Sequence, residues 1–141
     1  MTEIVGKALA AGIFVVENLN HLAGFAGEVK SLVIPAIHPI PAQAAFLLHA
    51  LTISLGLAGS TAFIFSDSKS SRFRTGARLL AIFMIIITWN WWFRRFGTFV
   101  WQVEDLAERR MRTIHCLKNM SIFGFLLLFS GKNVSLTKLK K

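Results

Sequence analysis

The sequence is poor in cysteine and in acidic residues. Its 141 residues include one cysteine, Cys116, and seven Asp or Glu against sixteen Lys or Arg. A single cysteine excludes an internal disulfide framework and a thiolate-rich metal site. In a soluble protein the net charge of +9 would suggest nucleic acid, but no RNA-binding signature accompanies it, and the cations lie between apolar runs and at the C-terminus. We therefore expect contacts with anionic lipid headgroups and no nucleic-acid partner.

Catalytic and targeting signals are also scarce. The chain has neither a Ser/His/Asp or Cys/His pattern nor a glycine-rich phosphate loop. Only one cation, Lys7, precedes the first apolar run, and no small-residue cleavage site or Arg- and Ser-rich leader is present. We therefore expect no enzymatic activity and no cleaved signal or transit peptide.

Apolar residues are abundant. They make up 54% of the chain, charged residues make up 16%, and the mean hydropathy is +0.56, which is too apolar for an ordinary soluble domain of this length. The pattern predicts an all-α fold, an integral membrane four-helix bundle that forms a single transmembrane domain over residues 1–141. Each predicted span approaches the ~20 residues that cross ~30 Å of hydrocarbon. The spans cover about residues 6–26, 42–65, 75–92 and 113–130.

A different pattern separates the third and fourth predicted spans. Residues 93–110 place apolar side chains on one side and charges on the other, which predicts an additional interfacial amphipathic helix. The alternative is a solvated helix that packs on a partner protein. Aromatic and basic residues near this level are expected to contact lipid headgroups. These interface residues are Trp89, Trp91, Trp92, Trp101, Arg94 and Arg95.

The second predicted span carries a ridge of small residues. Thr52, Gly56 and Ser60 recur at four-residue intervals, with Gly59 beside them. Such a ridge lets another helix approach closely, which in lipid replaces the missing hydrophobic drive for association. We expect these four residues to form a helix-packing face.

Polar residues inside the predicted spans form the candidate site. An ionisable side chain in hydrocarbon is costly unless it faces the bundle interior and finds a partner. Counted by depth, the polar residues of spans one, two and four fall in the same half of the bundle. They are Glu17, Asn20, His21, His49, Lys118 and Asn119. Residues 27–41, which include three prolines, are expected to form an extended loop with little chemistry of its own.

Two interpretations of this cluster are open. In the first, Glu17 pairs with Lys118 or His49, and the cluster fixes the packing of the bundle. In the second, Glu17 and the histidines relay protons, bind a quinone headgroup or hold a metal. Glu17 and His21 are the only short-spaced pair, which is a weak metal signal. We favour the structural interpretation and expect neither a metal nor a catalytic residue. The expected ligands are lipids, and a quinone is the alternative ligand.

Three segments and the loop between the first two resemble the DoxX-like family of small four-span membrane proteins, to which the SURF4-type cargo receptors are related. The segments are FVVENLNHLAGFAG (14–27), LLHALTISLGLAGS (47–60) and LKNMSIFGFLLLFSG (117–131). His21 stands where the family commonly has Lys, and His49 where many members carry Glu. The resemblance implies a four-span fold and an association with quinone-dependent oxidoreductase assemblies.

These observations together favour a non-catalytic accessory subunit of a larger membrane complex, respiratory or quinone-linked, whose partners are lipids and other subunits. The alternatives are a stand-alone DoxX-like redox-associated or quinone-interacting protein and a SURF4-like cargo receptor. The basic tail, 132–141, is expected to lie on headgroups, and Leu139 removes the dilysine signal of endoplasmic-reticulum retrieval. We therefore expect the mitochondrial inner membrane or a bacterial-type plasma membrane.

Overall fold

The computed structural model describes residues 2–33, 35 and 40–131, and its regular elements are helical. The α-helices are α1 (Thr2–Ala23), α2 (Phe25–Glu28), α3 (Ala42–Phe65), α4 (Ser71–Ile87) and α5 (Leu106–Ser130). Two π-helical segments, Val29–Val33 and Thr88–Phe93, continue α2 and α4, and two 3₁₀ turns follow at Arg95–Gly97 and Val100–Gln102. The predicted all-α class is confirmed. The predictions for residues 36–39 and for the basic tail lie outside the described residues.

The four long helices alternate in direction along the chain. α3 packs against α1 and α4, and α4 packs against α5. Lys7 Nζ, near the start of α1, donates to the Ser66 carbonyl after α3 at 2.7 Å. Arg78, in the first half of α4, donates to the Ser130 carbonyl at the end of α5 at 3.2 Å. We call this the Lys7 end of the bundle. The opposite end, where α1 and α4 finish and α3 and α5 begin, is the His49 end.

Small residues bring the central helices close together. A Cβ atom at Gly76 of α4 would lie 2.6 Å from the Phe63 backbone nitrogen of α3 and 2.9 Å from the Gly59 carbonyl. On its other side α3 presents Gly56 to Asn18 of α1. The four residues of the predicted packing face, Thr52, Gly56, Gly59 and Ser60, are all buried. The ridge therefore contacts two helices, α1 through Gly56 and α4 through Gly59.

Among the helices that the structure describes, two are long and apolar enough to cross a membrane, α3 and α5. A third candidate arises if Val5–Ala23 and Phe25–Ser31, bent by 82°, count as one span. Helix α4 has 17 residues, which is short for a span unless its π-helical continuation is added. These lengths are consistent with an integral membrane protein, and the predicted four-span bundle is not confirmed.

The first predicted span ends earlier than expected. Helix α1 stops at Ala23, and the 82° bend follows at Gly24. Residues 27–33, predicted to be extended, continue as α2 and the first π-helical segment. The prediction was wrong here because the prolines that deny helical hydrogen bonds begin only at Pro35.

The predicted interfacial helix over residues 93–110 does not form. Two 3₁₀ turns occupy its first half, and Gly97 adopts φ 76°, a left-handed conformation that ends regular structure. Asp105 then caps α5, since its side chain accepts hydrogen bonds from the Ala107 and Glu108 amides at 2.7 and 3.0 Å. Helix α5 therefore begins at Leu106 and combines the end of the predicted interfacial helix with the predicted fourth span.

The connection between α4 and α5 is fixed by one buried arginine. Arg112 donates to the carbonyls of Arg95 and Thr98 at 3.2 and 3.0 Å, and its Nη2 lies 2.6 Å from Glu108 Oε1. Because these carbonyls belong to residues between the helices, Arg112 holds the connection against the start of α5.

Candidate functional site

The bend after α1 returns one carboxylate to the bundle. Glu28 Oε2 lies 2.8 Å from His21 Nδ1 and 3.2 Å from His49 Nε2, so Glu28 bridges α1 and α3. His49 is buried, whereas His21 and Glu28 are about one-fifth exposed. Sequence reasoning placed Glu28 in a loop and missed it. Seven residues separate Glu28 from His21, and no helical spacing rule joins them across a broken helix.

Aromatic rings cover this His–Glu–His cluster, as we call His21, Glu28 and His49. The Phe25 and His49 ring centroids are 4.9 Å apart, and the two imidazoles are 6.1 Å apart. Because the Glu28 carboxylate contacts both imidazoles, the cluster ties the bend after α1 to α3.

Two adjoining cavities lie beside the cluster, and we call them together the polar cleft. The larger, of about 210 Å³, is lined in part by Asn20, His21 and Glu28. The smaller, of about 50 Å³, lies between α1 and α5. Its polar lining residues are Glu17, His115, Lys118 and Asn119. Glu17, Ile87 and Trp92 line both cavities, so the two cavities adjoin.

Glu17 and Lys118 face the cleft but do not pair. Both side chains are exposed, and within the described ranges no ion pair joins them. Glu28, and not Glu17, lies against His49. The predicted pairing of Glu17 was wrong. Counting residues along each span gives the depth of a side chain in the membrane, but it does not show which carboxylate the bend after α1 brings to the His49 ring.

The α5 side of the cleft holds two buried atoms with unused hydrogen-bonding capacity. His115 stacks on Trp92 with centroids 3.8 Å apart and planes 7° apart. Its Nδ1, like the Nδ2 of Asn119, is buried and has no hydrogen-bond partner among the described residues. Unsatisfied buried polar groups cost about 1–3 kcal/mol each. The cleft can therefore bind a polar group at modest cost.

The buried face of α1 differs from the predicted one. Asn18 is completely buried, and its Nδ2 donates to the Phe14 carbonyl at 2.6 Å, whereas Asn20 is exposed. Ala11, Phe14 and Asn18 follow helical spacing and make the contact with α3 and α4. The spacing of Ala11 and Phe14 in the sequence indicates this buried face. The prediction instead followed the polar residues and placed the neighbouring face of α1 inward.

The predicted interface residues separate into two groups. Trp92 lies in the cleft, while Trp89 and Trp101 are exposed. Trp91 belongs to the second π-helical segment. Four rings form an aromatic cluster that consists of Trp89, Phe93, Phe99 and Trp101. Arg94 places its guanidinium 5.3 Å from the Phe99 centroid, and Arg95 lies 5.7 Å from Trp92.

Neither a metal-ligand arrangement among the described residues nor a similar protein assigns a function to the site. Within the described ranges no group of three or more His, Cys, Asp or Glu side chains is placed to hold a metal ion. No protein-family model, curated protein or solved structure matches this chain. The resemblance to the DoxX-like family stays a prediction.

Proposed function

We propose that the chain is a non-catalytic accessory subunit of a larger membrane complex of respiratory or quinone-linked type. The observation that supports this proposal is the open polar cleft, which leaves Glu17 and Lys118 exposed and unpaired with each other beside helices of membrane-spanning character. A polar or charged side chain of a neighbouring subunit that enters the cleft would cover both charges.

The energetic reason concerns lipid exposure. An ionised Asp or Lys at the centre of a membrane helix costs about 2.5–3.5 kcal/mol on insertion scales, and such residues almost always face protein or a water-filled cavity. Glu17 lies six residues before the end of α1, which is ~9 Å along the helix. A polar or charged side chain on a neighbouring subunit would remove this cost and would also specify the partner's orientation.

The exposed surface of α5 agrees with this role. Only 11% of the most apolar stretch of the helix is buried. Its outward residues include Ile114, Leu117 and Leu128, each more than half exposed. Lipid alone could cover these side chains, so the charged cleft, and not the apolar face, carries the proposal.

The experiment is separation of native complexes after mild solubilisation. The wild-type chain should migrate with a larger assembly, and Glu17→Leu and Lys118→Leu should each shift it to a small free species. Glu104→Leu is the matched control because Glu104 is exposed outside the cleft and should leave migration unchanged. Migration of the wild-type chain as a free small protein would refute the proposal.

A second candidate is a stand-alone DoxX-like, quinone-interacting protein. The His–Glu–His cluster favours it, because Glu28 and His21 line a cavity of about 210 Å³ and can exchange protons with a bound headgroup. Glu28→Gln should then abolish quinone binding while assembly persists. The cargo-receptor alternative depends on a loop whose residues 36–39 are not described. For either candidate we propose the mitochondrial inner membrane or a bacterial-type plasma membrane.

A further inference from the structure

A largely apolar groove lies between α4 and α5, next to the polar cleft. Its volume is about 450 Å³, within the range of small-molecule sites. The side chains that shape it are Met84, Ile85, Trp89, Cys116, Met120 and Phe123. On α5 the lining extends from Thr113 to Phe123, ten residues or ~15 Å of helix.

The lining favours an acyl chain as the occupant. The groove is apolar apart from Thr88, Thr113 and Asn119, and lipid chains surround the outer face of a membrane-spanning helix. Leu117 and Met120, which line the groove, are 59% and 62% exposed, so the groove is open to the lipid around α5.

The two polar features of the groove indicate a lipid with a headgroup. Asn119 lines it, is 5% exposed, and carries a buried Nδ2 without a hydrogen-bond partner among the described residues. At the end near Thr113, Trp89 and Phe93 belong to both the groove and the aromatic cluster, and Arg94 lies over Phe99 of that cluster.

Charge decides which headgroup fits this end. The Arg94 Nε–H is buried without a hydrogen-bond partner among the described residues. Residues 94–112 contain five arginines against three acidic residues. A basic surface at headgroup level attracts anionic lipid, and tryptophan rings favour the same level.

We propose that the α4/α5 groove is a binding site for one anionic phospholipid. Its acyl chain lies along the groove, an ester carbonyl oxygen accepts a hydrogen bond from Asn119 Nδ2, and its phosphate lies at Arg94. The acyl-chain part of the site opens on the outer face of α4 and α5, whereas Met84 and Asn119 line both the groove and the smaller cavity of the cleft.

Cys116 provides a native reporter for the test, since it is the only cysteine in the chain and lines the groove. The full chain is reconstituted in phosphatidylcholine vesicles with or without phosphatidylglycerol, and the rate of Cys116 labelling by a membrane-permeant maleimide is measured. Phosphatidylglycerol should slow labelling about five-fold, the preference expected from one cation near the surface. Arg94→Gln should remove this difference, and Asn119→Leu should reduce it.

The control moves the reporter out of the groove. In the double variant Cys116→Ser/Leu128→Cys, the thiol stands on an exposed position of α5 outside the groove, and its labelling rate should not depend on phosphatidylglycerol. Equal labelling of wild-type Cys116 in the two lipids would overturn the proposal and indicate ordinary surrounding lipid only.

A second measurement does not depend on labelling. Native mass spectrometry of the purified chain should retain one phosphatidylglycerol molecule. Met120→Trp, which fills the groove, should lose it, whereas Leu128→Trp should keep it. Retention of the lipid by Met120→Trp with unchanged helix content would also overturn the proposal.

Discussion

The two ends of the bundle satisfy their polar groups in different ways. At the Lys7 end, Lys7 and Arg78 donate to the carbonyls of Ser66 and Ser130, which close the C-termini of α3 and α5. At the His49 end, the charges of Glu17 and Lys118 face an open cleft. Among the described residues, the first end therefore satisfies these carbonyls within one chain, whereas the second is where our proposal places a partner.

The Lys7 end is also more closely packed than the His49 end. Near the Lys7 end, Phe63 stacks on Phe73 at 4.5 Å, and both rings contact Phe129. The His49 end contains the bend after α1, both π-helical segments and the cavities. Mutations at the first end should therefore change the stability of the isolated chain, and mutations at the second should mainly change binding.

The largest effect is expected from Gly76→Leu. The new side chain would meet the Phe63 backbone nitrogen, 2.6 Å from the Cβ position, and backbone cannot move aside cheaply. We expect a loss of about 3 kcal/mol in the free energy of unfolding in detergent. Gly124→Leu is the control, because nothing lies within 4 Å of its Cβ position. Equal stability of the two variants would mean that the α3–α4 contact is looser than described.

Arg112→Met is expected to have the next largest effect. It removes the hydrogen bonds to the carbonyls of Arg95 and Thr98 and the ion pair with Glu108, which together should cost about 2 kcal/mol. Hydrogen exchange should rise in residues 93–105 while α3 keeps its protection. The exposed neighbour Arg110, changed to Met, should have no such effect. Uniform loss of protection in both regions would contradict a local role.

Lys7→Met should have a smaller effect, about 1.5 kcal/mol, since one charge-assisted hydrogen bond to the Ser66 carbonyl is lost. Because Met keeps much of the apolar stem over Phe73, thermal unfolding in detergent should mainly report the loss of the polar contacts of the ammonium group. A stability equal to wild type would show that the Lys7 end does not depend on this contact.

The smallest effect on stability is expected from Glu17→Gln. Its side chain is exposed and forms no ion pair with Lys118 in the described structure, so the free energy of unfolding of the isolated chain should change by less than about 0.5 kcal/mol. Migration with the native complex should nevertheless weaken. Destabilisation of the isolated chain by more than about 1 kcal/mol would instead make the cleft an internal structural network and remove the contrast between the ends.

The sequence predicted best where local signals bound an apolar run. The second span, expected over 42–65, forms α3 with those bounds, because Pro41 precedes it and the polar residues after Phe65 follow it. The sequence-based prediction failed over residues 93–110. Helical periodicity is present there, but Gly97 interrupts regular structure and Asp105 is an N-cap that begins a new helix. Periodicity alone does not distinguish one amphipathic helix from two turns followed by a helix.

For the candidate site, the sequence predicted only the depth of the polar residues within the membrane and not their contacts. In the structure His21 and His49 meet at Glu28, and Lys118 and Asn119 line a cavity with Glu17. The role of Glu28 could not be predicted, because it follows from an 82° bend whose angle no spacing rule gives. Which face of α1 packs inward was readable from Ala11 and Phe14.

The π-helical segment Thr88–Phe93 also constrains how the length of this chain can change in evolution. Each helical residue rotates the chain about the helix axis, so inserting or deleting one residue between α4 and Trp92 would rotate Trp92 away from His115. The exposed turn around Asp67–Lys69 has no such dependence. Related chains should therefore vary in length at that turn and keep the spacing from α4 to Trp92 constant.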